Sequence, residues 1–231
     1  MSSQNWKKYA VEFISIFIAV ISAFALNNWN ENRRDARAET KILIEIRNGL
    51  EKDINDVKEN MTGHEQGVNA CTYFRRVLRE EETNVDTVRN YYYLLTRDFI
   101  SIQNTSGYET LKSKGLELVQ DDSLRTSIIS LYEYDYNTLK KLEEEYHELQ
   151  FQANYFQDIN QFVAPHLEFD ALGDITNLNL PLKLSQEEKQ IFLSYLSKIE
   201  FNRRWILVYY EELKQKITQL RQEIEAELAQ R

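Results

Sequence analysis

A single carboxylate, Glu12, stands at the start of the most apolar stretch of the sequence. The residues after it, Phe13 to Leu26, include no charged residue, glycine or proline. A carboxylate at the edge of a membrane's hydrocarbon is costly unless it is paired, protonated, or faces water or a bundle interior. Glu12 can pair with Lys8, one helical turn earlier, at the level of the headgroups. Alternatively, several copies of Glu12 can face each other in an oligomeric pore or relay.

Small and polar residues recur on one side of the same predicted helix. Side chains of this size let two membrane helices approach closely, so the pattern predicts self-association. Two asparagines then end the apolar run, and they would form the second polar ring of a pore. The candidate membrane or pore residues are therefore Glu12, Ser15, Ala19, Ser22, Asn27 and Asn28.

Metal chemistry has one weak candidate. Glu144 and His147 are spaced i and i+3 on a predicted helix, as in one half of a di-metal site in a helix bundle. A complete site needs a second Glu-x-x-His, and Met61 and Val163 occupy the required positions before the other two histidines. The acidic residues around Glu144 are more simply explained as a solvated helix face.

Nucleophilic and phosphate-binding chemistry has no better support. The chain contains no glycine-rich phosphate loop, nucleophile elbow or His-Glu-x-x-His motif. Cys71 is its single cysteine, which excludes an internal disulfide and a zinc site made of cysteines, and a small buried residue is its expected role. The sequence therefore predicts no enzyme, no cofactor and no metal.

The apolar stretch predicts a membrane anchor over residues 1–31. With its flanks it spans roughly 30 Å at 1.5 Å per residue, the thickness of a hydrocarbon core. Trp6 and Trp29 bracket it, where an aromatic belt marks the two interfaces. A cleaved signal peptide is the alternative, since Ala23-Phe24-Ala25 resembles a cleavage site, but Glu12 does not suit such a segment. A buried core helix fits less well than lipid, because the run is apolar on every side.

The side of the membrane that holds the rest of the chain is open from the sequence. Two lysines precede the apolar run, whereas four basic residues follow it closely. Loops rich in Lys and Arg stay in the cytoplasm, so this small excess favours a cytoplasmic position for the later residues. The residues concerned are Lys7 and Lys8 on one side and Arg33, Arg34, Arg37 and Lys41 on the other.

Composition predicts an all-α chain. Only 6 glycines and 2 prolines punctuate 231 residues, and turns normally need more of both. The net charge of −9 argues against sequence-independent binding of DNA or RNA, which needs clustered Lys and Arg. With 14 tyrosines and 11 phenylalanines, the chain has ample aromatic material for a core.

The hydrophobic pattern divides the remainder into a helical stalk, residues 32–63, and a helical bundle, residues 64–231. An apolar stripe from Leu43 to Met61 marks the stalk, which is predicted to break at Thr62-Gly63. The bundle ends in a coiled-coil-like helix with apolar residues at alternating steps of four and three. The oligomer candidates on that helix are Leu213, Ile217, Leu220 and Ile224.

Local signals place the other elements. A short helix is predicted to start near Ser106, with Glu109 completing a capping box. One long helical stretch is predicted from Ser123 to Phe162, followed by an irregular region from Pro165 to Pro181. The last helix is predicted to begin near Ser185, with Glu188 at its third position.

Two segments carry a resemblance to a known family. The run from Glu12 to Arg33, with its ending Asn27-Asn28-Trp29-Asn30-Glu31-Asn32-Arg33, resembles the opening of an uncharacterised family of bacterial single-pass membrane proteins with an NNWNE-R signature. The stretch Gly107-Tyr108-Glu109-Thr110-Leu111-Lys112-Ser113, followed by Gly115, Leu118-Val119 and Leu124-Arg125, is similar to a second recurrent segment of that family. The resemblance implies an anchor in the bacterial inner membrane and a helical domain, and it implies no chemistry. In such proteins a longer basic tail implies an extracytoplasmic domain, but the amino tail here is shorter and less basic.

We therefore expect a membrane-anchored helical interaction or sensory module that self-associates through its anchor, stalk and final helix. Its expected partners are the lipid bilayer, further copies of itself and a protein of the cell envelope, and nucleic acid is not among them. The alternative is a small homo-oligomeric channel with Glu12 facing the pore. A third hypothesis is a periplasmic binding domain on a passive tether. The many tyrosines are expected to pack in the core, or to line a groove for a small molecule or peptide.

Overall fold

The computed structural model describes residues 3–81 and 84–230. It opens with one helix, α1, that runs from Ser3 to Leu78. The predicted break at Thr62-Gly63 is wrong, because the helix continues through both residues. Gly63 is present for close packing: a Cβ there would lie 2.2 Å from Cε1 of Phe99. Five residues lie outside the described part of the chain, among them the first residue of the predicted anchor and the last residue of the predicted bundle. They are Met1, Ser2, Glu82, Thr83 and Arg231.

Shorter elements follow α1, and the chain is 81% helical, so the predicted all-α class is confirmed. The π-helical turn Ser130–Asp135 joins α4 to α5, and 3-10 turns occupy Val85–Thr87, Leu116–Leu118, His147–Leu149 and Ala164–His166. The α-helices are α2 (Val88–Leu95), α3 (Ser106–Lys114), α4 (Asp122–Ile129), α5 (Tyr136–Glu144), α6 (Phe151–Val163) and α7 (Gln186–Ala229).

The long helix α7 packs antiparallel to α1 along most of its length. Its start lies near the end of α1, where Lys189 pairs with Glu80 at 3.0 Å. The predicted start of α7 is confirmed, since the Ser185 hydroxyl accepts a hydrogen bond from the amide N–H of Glu188 at 3.2 Å. The Glu188 carboxylate accepts the amide N–H of Ser185 in return at 2.7 Å, which completes the capping box.

The predicted capping box at Ser106 is wrong. The helix does begin there, but Thr105 occupies the cap position and makes no side-chain cap hydrogen bond. The Thr110 hydroxyl instead donates to the Ser106 carbonyl at 2.9 Å. Gly107 lies in the first turn, where a Cβ would stand 2.9 Å from Cγ1 of Ile46 on α1. α3 therefore begins without a capping box, and its first turn packs closely on α1.

The predicted single stretch from Ser123 to Phe162 is interrupted at residues 145–150, whereas α4, the π-helical turn and α5 form one unbroken helical segment. α5 ends at Glu144, and the Gln150 side-chain amide donates to the Glu143 carbonyl at 2.6 Å. The carboxylate of Asp98 accepts the amide N–H of Phe151 at 2.7 Å, which caps the start of α6. This cap comes from 53 residues earlier in the chain. A contact of that kind leaves no trace in local periodicity.

The region from Pro165 to Pro181, predicted as irregular, contains a small antiparallel hairpin. Its strands are β1, Leu167–Phe169, and β2, Ile175–Leu178, with Leu167 opposite Leu178. Gly173, in the turn between them, has a positive φ of 85°, which favours glycine. The hairpin packs on α2 through an ion pair between Arg89 and Asp174 at 2.7 Å.

The apolar stripe of the predicted stalk lies in the core of the domain. Leu43 and Leu50 are 0% exposed, and Ile46 and Val57 are each 1% exposed. They belong to the same hydrophobic cluster as Ile206 and Tyr210 of α7. From Ile42 onward α1 is therefore the central helix of the bundle, and residues 32–41 alone join it to the apolar segment.

Candidate functional site

The first part of α1 projects from the domain with its apolar side chains uncovered. Residues 3–41 continue the core helix, and the most apolar 18-residue window within them is 0% buried. Among the described residues, one helix is long and apolar enough to cross a membrane, and it is the helix that contains this window. Phe13 and Leu26, near its two ends, are 68% and 65% exposed. An apolar surface of this extent is not stable in water, so it requires lipid or another apolar partner.

Glu12 lies on the exposed surface of this segment. In the described part of the chain its carboxylate has no hydrogen-bond or ion-pair partner, and the predicted pair with Lys8 does not form. The Ser15 hydroxyl is satisfied within the helix, since it donates to the Val11 carbonyl at 2.8 Å. Glu12 is therefore a charged side chain of the segment that lacks a polar partner among the described residues of its own copy.

The far boundary of the apolar run carries polar and aromatic side chains, as expected. The Asn27 amide donates to Glu31 Oε1 at 3.0 Å, and Asn28 is exposed beside it. Trp29 is 61% exposed, and the guanidinium of Arg33 lies 5.6 Å from its ring centroid. Trp6, at the opposite boundary, is 78% exposed. Both tryptophans are thus free to lie in a membrane interface.

The exposed segment has two unlike faces. Ser15 and Ser22 share one face with Ala19, since steps of three and four residues return to the same side of a helix. Phe17 and Phe24 come two residues after the two serines, which places them about 200° further around the axis. Ser15, Ala19 and Ser22 therefore form a row of small side chains on one face of the segment, and Phe17 and Phe24 lie on the opposite face.

The oligomer candidates on the last helix lie inside a single copy. The side chains of Leu213, Ile217, Leu220 and Ile224 are between 0% and 3% exposed and belong to the domain's own core. The heptad pattern of α7 is thus used for packing within the bundle. Nothing of that stripe is left on the surface for a second chain.

The structure also contains a buried cation that the sequence did not single out. Arg203 of α7 is 0% exposed, and its guanidinium carbon lies 4.2 Å from the ring centroid of Phe151. One guanidinium nitrogen contacts His64 Nδ1 at 3.1 Å, and another donates to the last two carbonyls of α2 and to one carbonyl just beyond that helix. These acceptors are Leu94 at 3.3 Å, Leu95 at 3.1 Å and Arg97 at 2.9 Å.

Gly67 leaves space for the Arg203 side chain, which stays charged although it is buried. A Cβ at Gly67 of α1 would lie 2.4 Å from Arg203 Nε. Burial lowers the pKa of Arg203 to about 10, so the side chain stays charged at neutral pH. Burial, with the charge of Arg203 beside it, lowers the pKa of His64 to about 3, so the imidazole is neutral. The spacing of Arg203 from Ile199, Ile206 and Tyr210 was the available signal, since it occupies a core position.

A second cluster of polar side chains holds residues 98–104, an extended segment here called the strap. Three carboxylates accept hydrogen bonds from it, and two of them lie on α1. These are Asp53 with Asn104 N at 2.8 Å, Asp56 with Ile102 N at 3.0 Å, and Glu143 with Ser101 N at 3.0 Å. The strap thereby gains acceptors for backbone amides that would otherwise be unpaired.

Burial perturbs two of these carboxyl groups. It raises the pKa of Asp53, and it raises the pKa of Glu143 to about 7, with a smaller contribution from the charge of Asp56. The Tyr210 hydroxyl donates to Glu143, which opposes that shift. The arrangement of the three carboxylates accounts for attachment of the strap.

The remaining sequence candidates are separated or buried. α5 ends at Glu144, and His147 opens a 3-10 turn beyond it, so the two do not share a helix face. Cys71 is 0% exposed, and burial raises the pKa of its thiol to about 12. The predicted packing of tyrosines holds for Tyr132, Tyr136 and Tyr210, which are buried.

A groove between α1 and α2 keeps some tyrosine surface open. It encloses about 730 Å³, and Tyr93 on its wall is 54% exposed. The side chains lining it are mostly polar, and they are Gln66, Asn69, Thr87, Asn90, Tyr91, Tyr93, Leu94 and Arg97. This is the place where a tyrosine-lined site for a small molecule, considered from the sequence, would lie.

Comparison with known proteins adds no identification. No family model, no curated protein and no solved structure matches the chain. The resemblance drawn from the segments at residues 12–33 and 107–125 therefore stays a prediction.

Proposed function

We propose that the chain is a single-pass membrane protein whose helical domain is an interaction or sensory module and whose copies associate through the anchor. The observation that carries this proposal is the continuity of α1. Its first part is apolar and uncovered, and its second part is the central helix of the bundle. Lipid is the environment that would cover the first part without disturbing the second.

A continuous helix also suits a sensory role. No glycine or proline lies between Ser3 and Asn48, so nothing in the sequence uncouples the anchor from the core. A tilt, rotation or displacement of the anchor would therefore move the helix to which α3, α7 and the strap are attached. The reverse holds for a ligand or protein partner that moves the domain. The groove between α1 and α2 is one place for such a ligand.

Self-association is assigned to the anchor because the stalk and α7, the other two surfaces predicted to join copies, are packed against each other within one copy. The apolar stripes of the stalk and of α7 are buried within one copy. The face with Ser15, Ala19 and Ser22 stays uncovered, and small side chains allow close helix contact in lipid. Glu12 lies at the end of this face, where a second copy could supply the polar partner it lacks.

Cysteine cross-linking in membranes tests this arrangement. The native Cys71 is buried, so it provides a silent background. We expect Ser22→Cys in the full-length chain to give a cross-linked dimer several-fold more efficiently than Phe24→Cys on the opposite face. A strictly monomeric protein in mild detergent at micromolar concentration, together with no cross-link from either variant in membranes, would contradict self-association.

A homo-oligomeric channel is the second candidate, and the unpartnered carboxylate of Glu12 favours it. In such a channel Glu12 and the Asn27-Asn28 pair would ring the two ends of the pore. Ion flux through vesicles containing the purified protein should then change with Glu12→Gln. Absence of flux, or flux that this substitution leaves unaltered, would count against a pore while leaving the anchored module intact.

A further inference from the structure

The charged residues between Glu31 and Lys41, where the anchor joins the domain, lie mainly on two faces of the helix. Arg33, Arg37 and Lys41 are spaced by four residues and form one row, here called the basic stripe. Three acidic residues with the same spacing form a second row, namely Glu31, Asp35 and Glu39. Because the two rows are offset by two residues, they lie about 200° apart around the helix axis.

The acidic row is engaged within the chain. Glu31 accepts the hydrogen bond from Asn27, and Asp35 lies 3.5 Å from Arg34. Glu39 is only 3% exposed, and its carboxylate accepts the amide N–H of Gln120 at 3.0 Å. The acidic row therefore lies on the side of α1 where Glu39 makes contact with the domain.

The basic stripe is not engaged in this way. Its three cations are exposed and form no salt bridge with any residue that the structure describes. Arg33 contacts the Trp29 ring, at the boundary of the apolar run. Arg33 and Arg37 line a surface groove of about 470 Å³ with Ala36 and Thr40. An anion can thus reach two guanidinium groups at once.

The height of the stripe suits the headgroup layer of a membrane. At 1.5 Å per residue, Arg33 lies roughly 8 Å and Arg37 roughly 14 Å beyond Asn28, where the apolar run ends. The polar layer on each side of a bilayer is about 5–8 Å thick, and charges interact over a further 8–10 Å at physiological salt. Extended arginine side chains at these heights reach lipid phosphates, whereas Lys41 lies roughly 20 Å beyond Asn28, at the outer limit of their field.

We propose that the basic stripe is a binding surface for the headgroups of anionic phospholipids on the membrane face nearest the domain. The proposal rests on the membrane anchor proposed above. Charge complementarity carries it: two unpaired arginines of one helix face reach the height of the lipid phosphates, and Lys41 continues the same row outward. Each cation close to an anionic surface contributes about a fivefold increase in binding, so the two arginines together select anionic over zwitterionic lipid.

The same surface would make self-association depend on lipid. Eighteen residues complete five helical turns, so Arg33 lies in line with Ser15, and Arg37 lies in line with Ala19. Two copies that meet on the small-residue face therefore bring their basic stripes together, and like charges repel. Anionic headgroups between the stripes remove this repulsion. Assembly is then stronger in an anionic bilayer than in a zwitterionic one.

Trp29 is a reporter placed beside the stripe. In a full-length chain with Trp6→Phe and Trp205→Phe, Trp29 is the remaining indole. The protein is reconstituted in phosphatidylcholine vesicles that contain a minor fraction of brominated phosphatidylglycerol or the same fraction of brominated phosphatidylcholine. We expect the anionic quencher to reduce Trp29 fluorescence several-fold more effectively. A quenching ratio of one would overturn the proposal.

Matched charge removals locate the effect. Arg33→Gln, Arg37→Gln and Lys41→Gln combined should bring the ratio close to one. The control combines Lys52→Gln, Lys58→Gln and Lys140→Gln, which remove the same charge from exposed positions in the domain. It should keep the wild-type ratio. A ratio that survives in the stripe variant, or that falls equally in the control, would also overturn the proposal.

Two further arms separate the sources of failure. Inorganic phosphate is added at constant ionic strength, and we expect the quenching ratio to stay unchanged because the ligand is a lipid. A quenching ratio that falls to one would assign the stripe to free phosphate and overturn the lipid proposal. Flotation of the protein with the vesicles tests the anchor by itself. A chain that does not float contradicts the proposed function, whereas a chain that floats without selecting anionic lipid contradicts only this inference.

Discussion

Residues 3–41 and 42–78 belong to one helix, yet their side chains follow different rules. In the first part the apolar residues are exposed around the whole circumference, whereas in the second part they form one buried stripe. A helix with one apolar stripe packs against protein, and a helix that is apolar all round is buried or lies in lipid. The change of pattern at Ile42 therefore marks a change of surroundings along an unbroken helix.

The two parts also treat polar groups differently. In the second part, Asp53, Asp56 and His64 are each matched by partners from the strap or α7. In the first part, Glu12 and the basic stripe have no such partner in the described chain. Buried polar groups are costly unless they are hydrogen-bonded, so these contacts stabilise the second part, where His64 Nε2 is a buried atom without a hydrogen-bond partner among the described residues. The unpaired charges of the first part are where a lipid or a second copy can act.

The largest expected loss of stability comes from breaking the polar packing on the buried part. Arg203→Ala leaves three backbone carbonyls and the His64 ring without their donor and opens a cavity beside Phe151. We expect the free energy of unfolding to fall by about 3–5 kcal/mol. Denaturant titration of the full-length chain in detergent, followed by circular dichroism, measures this loss.

A neighbouring arginine supplies the control. Arg204 is exposed, and its ion pair with Glu200 lies at the surface, so Arg204→Ala should cost no more than about 0.5 kcal/mol. If Arg203→Ala does not fold, Arg203→Met restores most of the lost volume without the hydrogen bonds. Equal stability of the Arg203 and Arg204 variants would show that the buried cation does not hold α2 on α1.

On the exposed part, a charge should block insertion and leave the domain intact. Ala19→Arg places a cation at the centre of the apolar run, where the cost is about 3 kcal/mol. We expect the ratio of membrane-inserted to uninserted protein to fall by about two orders of magnitude, measured by extraction of membranes with alkaline carbonate. Ala36→Arg, beyond the apolar run, should insert normally. Unchanged insertion of Ala19→Arg would contradict a spanning helix.

The strap should respond to pH through Glu143. Because its pKa is about 7 in the folded chain, above the ordinary value of 4.5, the folded state holds a proton that the unfolded state releases between these values. Stability from this group is fully present below pH 4.5 and is lost as the pH rises through 7, by about 2–3 kcal/mol. Unfolding of the Glu143→Gln variant should lack this loss.

The neighbouring Glu144→Gln variant is the control for that titration. Glu144 is exposed at the end of α5, so its replacement should leave the pH dependence of unfolding unchanged. The quantity to compare is the difference in unfolding free energy between each variant and the wild type across pH 4–8. A constant difference for Glu143→Gln would show that burial of its carboxylate does not control the strap.

Local chemistry made part of this structure predictable. The exposed apolar run, the low content of glycine and proline and the capping box at Ser185 act over a few residues, and each predicted the right element. The break at Gly63 and the long helix after Ser123 were predicted wrongly for the opposite reason. Phe99 explains the glycine, and Asp98 caps α6, and both act from distant positions in the chain.

The candidate site divides in the same way. Glu12 and the small-residue face are visible in the sequence because residue type and spacing define them. The stalk and the α7 heptads predicted contacts between copies, but a stripe has the same pattern whether its partner is another chain or another part of the same chain. Only the fold shows that α1 and α7 cover each other. The unpaired state of the basic stripe likewise depends on where Glu39 is buried.

The smallest expected effect concerns the short bridge between the two parts of α1. Ala36 is exposed, and the helix around it contacts the domain through Glu39 and has no apolar packing at Ala36 itself. Ala36→Gly should therefore weaken the helix locally by about 1 kcal/mol, which corresponds to roughly fivefold faster amide hydrogen exchange over residues 33–40. Exchange over residues 46–57 should not change. Ala70→Gly, at a buried position with 0% exposure, should instead destabilise the whole domain. If Ala36→Gly accelerates exchange in the core as well, the bridge belongs to the cooperative unit of the domain, and the division at Ile42 would have to move towards the amino terminus.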